Sequence, residues 1–156
     1  MPISHLVELA DLNATATLGA SLSNRLRAGD IVALEGPLGV GKTTFARALI
    51  RGLGWSESEI PSPTFTLVQQ YDLAEFTLWH FDLYRLETPE DAFELGIEEA
   101  FADGVSLVEW PDRLGGYMPP DHLAVTLSFA DNEGARRVSI VGGAAWEGRL
   151  NGLDHG

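Results

Sequence analysis

The sequence contains no cysteine, a single lysine and no long hydrophobic run. Without cysteine the chain forms no disulfide bond, no thiolate metal site and no thiol nucleophile. No apolar stretch reaches the roughly 18 residues that a membrane-spanning helix needs, and the opening segment "MPISHLVELADL" lacks the basic and apolar parts of a secretory signal. The four histidines are scattered without ligand spacing, so no zinc site is expected. We therefore expect a cytoplasmic protein that makes no contact with a membrane.

Positive charge is also scarce. Asp and Glu number 23 against 10 Lys and Arg, which gives a net charge of −13 at neutral pH. Such a surface repels the phosphate backbone of DNA and RNA, so direct nucleic-acid binding is not expected. Any role close to a nucleic acid requires a partner that supplies the positive surface. The one lysine is Lys42, and its position in the sequence is informative.

The stretch "GPLGVGKT" at residues 36–43 matches the phosphate-loop pattern G-x-x-x-x-G-K-[ST]. Gly36 and Gly41 occupy its fixed glycine positions, which allow backbone N–H groups to face phosphate oxygens. Lys42 would reach the β- and γ-phosphates, and the Thr43 hydroxyl would bind a magnesium ion. The guanine-reading motif N-K-x-D would need a second lysine, so ATP is the expected nucleotide.

The hydrophobic patterns around this motif predict an α/β fold. The length of 156 residues suits a single domain, which we assign to residues 1–142, followed by a loose C-terminal tail at 143–156. The expected architecture is a phosphate-loop (P-loop) NTPase domain with a mixed parallel and antiparallel sheet flanked by helices. The predicted elements are a helix over 12–28, a strand at 30–35, a helix from 42 to a stop at Gly54, a loop at 55–63, a hairpin of strands at 64–73 and 76–84, a helix over 88–102 broken at Gly96, a strand at 104–110 and a second hairpin at 122–130 and 135–142.

Two carboxylates follow apolar runs at the ends of predicted central strands. Asp82 ends "LWHFD" and Glu109 ends "SLVE". The carboxyl ends of parallel strands meet at the crevice beside a phosphate loop, where an acid can bind magnesium or orient an attacking water. Solvated acids at the ends of strands are the alternative interpretation. Both residues are therefore candidate catalytic groups, together with Lys42.

The segment "SPTFT" at 62–66 lies between the phosphate-loop helix and the Asp82 strand, where a switch that senses the γ-phosphate is typical. Ser62, Pro63 and Thr64 are the candidate switch residues, and Thr66 is a further candidate for the sensing hydroxyl. An ordinary turn followed by a strand fits this spacing equally well. Packing or surface positions are the expectation for Tyr84, Arg85, Trp110 and Pro111.

Four motifs in this order resemble the TsaE (formerly YjeE) family, the small ATPases of bacterial tRNA threonylcarbamoyladenosine biosynthesis. They are "GPLGVGKTTFARALIRGLG", "SPTFTLVQQY", "FDLYRL" and "LVEWPDRL", and the resemblance runs from about Asp11 to Val141. One departure is Pro37, where the family usually has an acidic or polar residue. The loop tolerates this position, so the resemblance is unaffected.

The resemblance implies a magnesium-dependent ATPase whose partners, TsaB and TsaD, modify the adenosine beside the anticodon of ANN-decoding tRNAs. It implies that the tRNA is reached only through these partners and that low intrinsic activity rises when they bind. Thr43 and Glu109 are the implied magnesium ligands, Asp82 supports hydrolysis, and the Thr64 segment is the switch. An arginine of the last hairpin, Arg136 or alternatively Arg137, completes the implied ATP-binding set, which comprises Asp11, Thr15, Gly36, Pro37, Leu38, Gly39, Val40, Gly41, Lys42, Thr43, Thr44 and Arg136.

Two other classes of protein remain open. A small-molecule P-loop kinase would transfer the γ-phosphate to an acceptor and usually carries an arginine-bearing lid. Residues 55–103 contain no Lys or Arg apart from Arg85, which argues against such a lid. The third class is a nucleotide-dependent binding module with negligible turnover. Phosphate release with and without acceptors or partners distinguishes the three classes.

Overall fold

A seven-stranded mixed sheet forms the centre of the computed structural model, which describes residues 3–56 and 59–153, residue 3 by its backbone alone. The strand order is β1-β7-β6-β2-β5-β4-β3. Strand β2 pairs in parallel with β5 and β6, and β4 pairs in parallel with β5, whereas the outer pairs are antiparallel. This sheet confirms the predicted α/β class. The strands are β1 (Ile3–Leu9), β2 (Ile31–Glu35), β3 (Val68–Asp72), β4 (Thr77–Asp82), β5 (Val105–Glu109), β6 (Leu123–Phe129) and β7 (Arg136–Gly142).

Helices cover both faces of the sheet. On one face α1 (Leu12–Ser23) packs against α2 (Lys42–Gly52). The two helices approach closely at Gly19, where an added Cβ would lie 2.6 Å from the carbonyl oxygen of Phe45. The opposite face carries α3 (Ile97–Asp103) and two 3₁₀ helices, Pro89–Leu95 and Pro111–Tyr117. The phosphate-loop motif therefore joins the central strand β2 to a helix packed on the sheet.

Apolar side chains fill the space on each side of the sheet. Leu18, Phe45 and Leu107 belong to the cluster under α1 and α2, and Phe81 and Ile97 belong to the cluster under α3. All five residues of β5 are buried. Parallel strands buried on both faces read as continuous apolar runs, which is why β2, β4 and β5 are recognisable from the sequence.

Several element boundaries differ from the predictions. Strand β1 was not predicted, α1 ends at Ser23 rather than near residue 28, and β3 begins at Val68 rather than at 64. The break at Gly96 is confirmed, because Gly96 has a φ of +86° between the 3₁₀ helix and α3. Both hairpins are confirmed, and the described part of the 55–63 loop contains no helix or strand, with residues 57 and 58 outside the described residues.

The chain after Gly142 differs from the expected loose tail. Residues 144–146 form a 3₁₀ turn, and the side chains of Trp146 and Leu150 are buried in the core. The Arg149 guanidinium stacks 4.0 Å from the Trp146 ring centroid and pairs with Asp30 at the entrance to β2. Aromatic burial and this ion pair hold residues 143–153 to the domain, whereas 154–156 lie outside the described residues. No helix in the described ranges is both long and apolar enough to cross a membrane.

Candidate nucleotide-binding site

The phosphate loop turns tightly between β2 and α2 because its glycines adopt backbone angles that other residues avoid. Gly36 has a φ of +152°, and a Cβ there would lie 2.6 Å from the carbonyl oxygen of Leu127. Gly41 has a φ of +117° and precedes the first residue of α2. The sequence pattern therefore matches a physical requirement for glycine at both fixed positions. The turn also sets the positive end of the α2 dipole beside the loop.

Arg136 on β7 contacts the phosphate loop through hydrogen bonds. Its Nε donates a hydrogen bond of 2.7 Å to the Val40 carbonyl oxygen, and its Nη1 donates one of 2.8 Å to the Gly134 carbonyl oxygen. Its guanidinium carbon lies 4.9 Å from the Phe129 ring centroid. The neighbouring Arg137 instead pairs with Glu8 on β1. Arg136 thus ties the β6–β7 hairpin to the phosphate loop.

The ammonium group of Lys42 rests on an aromatic ring. Its Nζ lies 4.6 Å from the centroid of the Trp110 ring, and the residue is only 9% exposed. Trp110 follows Glu109 directly and has a φ of +58°, an angle that is uncommon for a bulky residue. Its ring stacks on Tyr84 at a centroid distance of 4.7 Å. Trp110 packs against the cluster under α3, as expected, and its ring also lies against the phosphate-loop lysine.

Asp82 and Glu109 lie side by side at the ends of β4 and β5. They are register partners in the parallel pair, and each is 8% exposed. The Tyr84 N–H donates a hydrogen bond of 3.1 Å to Asp82 Oδ1. The prediction that two central strands bring these acids to one edge is confirmed by this register.

A buried histidine contacts Glu109, and sequence reasoning did not select it. The Nε2 atom of His80 lies 2.8 Å from Glu109 Oε2, and His80 is 4% exposed. His80 precedes Asp82 by two residues, so both side chains occupy the same face of β4. This alternation is the signal that could have identified His80, which otherwise reads as a polar interruption of a buried strand.

Lys42, Asp82 and Glu109 face one cavity of about 580 Å³. Its charged lining residues are two cations, Lys42 and Arg85, and two anions, Asp82 and Glu109. Arg85 stacks over the ring of Phe65, with its guanidinium carbon 4.4 Å from the centroid. Tyr84 and Arg85 are exposed, as expected for surface residues, and they also line the cavity wall. The lining comprises Leu12, Leu38, Gly39, Gly41, Lys42, Thr43, Thr44, Ser62, Thr64, Asp82, Tyr84, Arg85, Glu109 and Trp110.

Seven predicted site residues do not line this cavity: Asp11, Thr15, Gly36, Pro37, Val40, Pro63 and Arg136. The Asp11 carboxylate caps α1 by accepting a hydrogen bond of 2.9 Å from the Ala14 N–H. Thr15 is fully buried, and a Cβ on Gly41 would lie 3.6 Å from its methyl carbon. Leu12 occupies the wall at this end of α1. Contact of Asp11 and Thr15 with ATP stays a prediction.

The candidate switch segment is joined to the Asp82 strand. The hydroxyl groups of Ser62 and Thr64 lie 2.7 Å apart, within hydrogen-bonding distance. Leu67, with a φ of +69°, donates its N–H to the Pro63 carbonyl oxygen and accepts at 2.9 Å from the N–H of Asp82. Backbone hydrogen bonds therefore connect the candidate switch segment to Asp82.

The donor set suits magnesium better than a metal held by protein alone. No group of three or more His, Cys, Asp or Glu that could hold a metal occurs in the described part of the chain. Magnesium usually binds one or two carboxylates, substrate phosphates and water. Thr43, Glu109 and Asp82 share a cavity with the phosphate loop and supply such a set.

The sequence has well-defined relatives. The family model described as threonylcarbamoyl adenosine biosynthesis protein TsaE matches residues 9–138. The chain belongs to the TsaE family. A TsaE protein of Rickettsia felis is 41% identical over 127 residues, which cover 81% of this chain and 74% of that protein. A TsaE protein of Nostoc sp. is 40% identical over 138 residues, 85% of this chain and 83% of that protein.

A solved structure supports the same assignment. The crystal structure of Bacillus subtilis YdiB superposes with a TM-score of 0.77 at 29% sequence identity, covering 98% of this chain and 95% of that one. The Rickettsia felis and Nostoc proteins are named as tRNA threonylcarbamoyladenosine biosynthesis proteins. TsaE membership thus agrees with the phosphate loop, the acid pair and the sheet order described above.

Proposed function

We propose that this protein binds and hydrolyses ATP in the 580 Å³ cavity and thereby supports threonylcarbamoyl modification of the adenosine next to the anticodon of ANN-decoding tRNAs. The observation that carries the proposal is the convergence of Lys42, Thr43, Asp82 and Glu109 on one cavity in a chain of the TsaE family. The pathway acts on tRNA, so we place the protein in the cytoplasm.

The phosphate loop and Lys42 would bind the nucleotide. Backbone N–H groups of the loop and the start of α2 attract the phosphates, and the Lys42 ammonium would pair with the β- and γ-phosphates. To do so, Nζ must leave the face of the Trp110 ring, where it now lies 4.6 Å from the centroid. A cation–π contact of this kind is weak compared with a phosphate ion pair, so nucleotide binding would displace it.

Asp82 and Glu109 would have different roles in hydrolysis. We assign Glu109 and the Thr43 hydroxyl to magnesium, which when bound neutralises charge that develops on the phosphate oxygens. Glu109 Oε2 bonds to His80, which leaves Oε1 for this role. Asp82 Oδ1 accepts the Tyr84 N–H, which leaves Oδ2 to accept a hydrogen bond from the attacking water.

The proposed partners are TsaB and TsaD, which would hold the tRNA. A net charge of −13 disfavours direct contact of this chain with the tRNA backbone, so a partner must provide that surface. Arg85 is the cationic wall residue apart from Lys42, and its guanidinium is engaged with Phe65. We therefore expect low hydrolysis in isolation and a rise when partners complete or reorder the site.

Phosphate release tests this proposal. The protein is assayed alone, with the TsaB–TsaD pair, and with a panel of small hydroxyl acceptors, while mass spectrometry follows the modified nucleoside in tRNA. Stimulation by the pair and loss of the nucleoside in a Lys42→Ala variant are the expected results. Turnover that rises only with a small acceptor would favour the kinase alternative. Equal turnover with and without the pair would contradict partner coupling.

A further inference from the structure

We infer that His80 is a positioning residue that fixes the magnesium-binding orientation of Glu109. This inference rests on the function proposed above, because it concerns the same carboxylate. His80 Nε2 lies 2.8 Å from Glu109 Oε2, and both side chains are at least nine-tenths buried. A hydrogen bond of this length between buried groups restricts the rotation of the carboxylate about its last torsion angle.

The direction of the hydrogen bond between His80 and Glu109 follows from the two groups. A carboxylate can only accept, so the proton of the pair lies on His80 Nε2. His80 Nδ1 is buried and has no hydrogen-bond partner among the described residues. Glu109 is therefore the one hydrogen-bond partner of the His80 ring among the described residues, and Nε2–H is the donor.

A donor without a permanent positive charge, such as imidazole, suits a carboxylate that has to bind a cation. Arginine or lysine at position 80 would hold Glu109 but would cancel the charge that attracts magnesium. The His80 imidazole orients the carboxylate through one hydrogen bond. Its own place is fixed by β4, where it packs diagonally to Glu109 and beside its register partner Leu107. Groups that hold a ligating side chain in this way commonly change metal affinity by about 10–100-fold.

Two amide substitutions of His80 test the effect of the hydrogen bond separately from the loss of the imidazole ring. In His80→Gln the side-chain nitrogen reaches the position of Nε2 and can still donate to Glu109. In His80→Asn the amide ends near the position of Nδ1 and cannot reach it. The readout is the ratio of the ATP dissociation constants measured by calorimetry in EDTA and in magnesium. Circular dichroism and melting temperature report folding separately.

We expect His80→Asn to reduce the magnesium-dependent gain in ATP affinity about tenfold, with unchanged affinity in EDTA, and His80→Gln to retain most of the gain. In a Glu109→Gln background the two substitutions should no longer differ in this ratio. Equal ratios for wild type and His80→Asn, or equal losses in both amide variants, would overturn the role of His80 while leaving ATP binding intact. Wild-type protein that binds no ATP would overturn the proposed function as well.

Discussion

Replacement of Arg136 by methionine tests whether this residue supports the phosphate loop from behind. The substitution keeps the apolar stem that lies against Phe129 but removes the donors to the carbonyl oxygens of Val40 and Gly134. A hydrogen bond from a charged donor contributes about 1.5–3 kcal/mol when buried, and Arg136 is half-buried, so we expect a loss of about 2 kcal/mol. For a domain of this size that corresponds to a fall of about 6 °C in melting temperature.

The same change should weaken nucleotide binding indirectly. A loop released from Arg136 no longer presents its N–H groups in one arrangement, and a loss of about 1 kcal/mol raises the dissociation constant about fivefold. ATP and ADP should be affected equally, because both carry the phosphates that the loop holds. If Arg136 instead touched the γ-phosphate, ATP binding would suffer more than ADP binding. Calorimetric titrations with both nucleotides distinguish these outcomes.

Arg137→Met is the matched control for this experiment. Arg137 is the next residue on β7, and its hydrogen bond goes to Glu8, with 40% of one side chain and 60% of the other exposed. Burial plays little part there, so melting temperature and nucleotide affinity should stay close to the wild-type values. Equal losses in the two variants, or wild-type behaviour of Arg136→Met, would refute the assigned role.

Four further substitutions follow from the site and the core. Lys42→Ala should abolish hydrolysis, measured by phosphate release. The only lysine supplies the positive charge proposed to pair with the β- and γ-phosphates. Glu109→Gln should lower magnesium-dependent hydrolysis by at least tenfold and ATP affinity by less, and Asp82→Asn should likewise impair hydrolysis more than binding. Burial raises the pKa of Tyr71, so its ionisation favours the unfolded chain and stability should fall as pH rises above about 10. Urea unfolding should show a weaker alkaline loss in Tyr71→Phe.

Each of these expectations has a contrary outcome. Near wild-type hydrolysis in Lys42→Ala would contradict the phosphate-loop assignment. Unchanged hydrolysis in Glu109→Gln would leave Asp82 as the better candidate for the metal. The Tyr71 hydroxyl is buried and has no partner among the described residues, so Tyr71→Phe should cost little stability at neutral pH. If Tyr71→Phe still loses stability steeply at alkaline pH, the ionisation of another group causes that loss.

The parts of the fold that the sequence predicts are those with local signals. The phosphate loop is visible because glycine spacing and one lysine report backbone geometry directly. Strands β4 and β5 are visible because buried parallel strands are apolar throughout, and the acids that end them mark the edge of the sheet. Strand β1 lacks such a signal, because it is held at the edge by pairing with residues 136–142 at the other end of the chain.

Side-chain partnerships across the fold were not predictable in the same way. Arg136 meets Val40 across 96 positions of sequence, and no local pattern reports that contact. From the sequence, Trp110 is expected only to pack against the core. No local pattern predicts its φ of +58° or the contact of its ring with Lys42. The tail was misjudged because its glycines obscure the apolar pair Trp146 and Leu150, whose burial depends on the finished core. The positions of these side chains depend on tertiary contacts, which local sequence patterns do not predict.

The solitary lysine makes the site unusual as a target for covalent chemistry. Lys42 carries the only side-chain primary amine in the sequence; the residue is 9% exposed, and its amine lies over the Trp110 ring. An acylating reagent directed at lysine therefore has one side-chain target, which is the group proposed to bind the phosphates of ATP. Bound nucleotide would shield it, so the extent of labelling measures site occupancy.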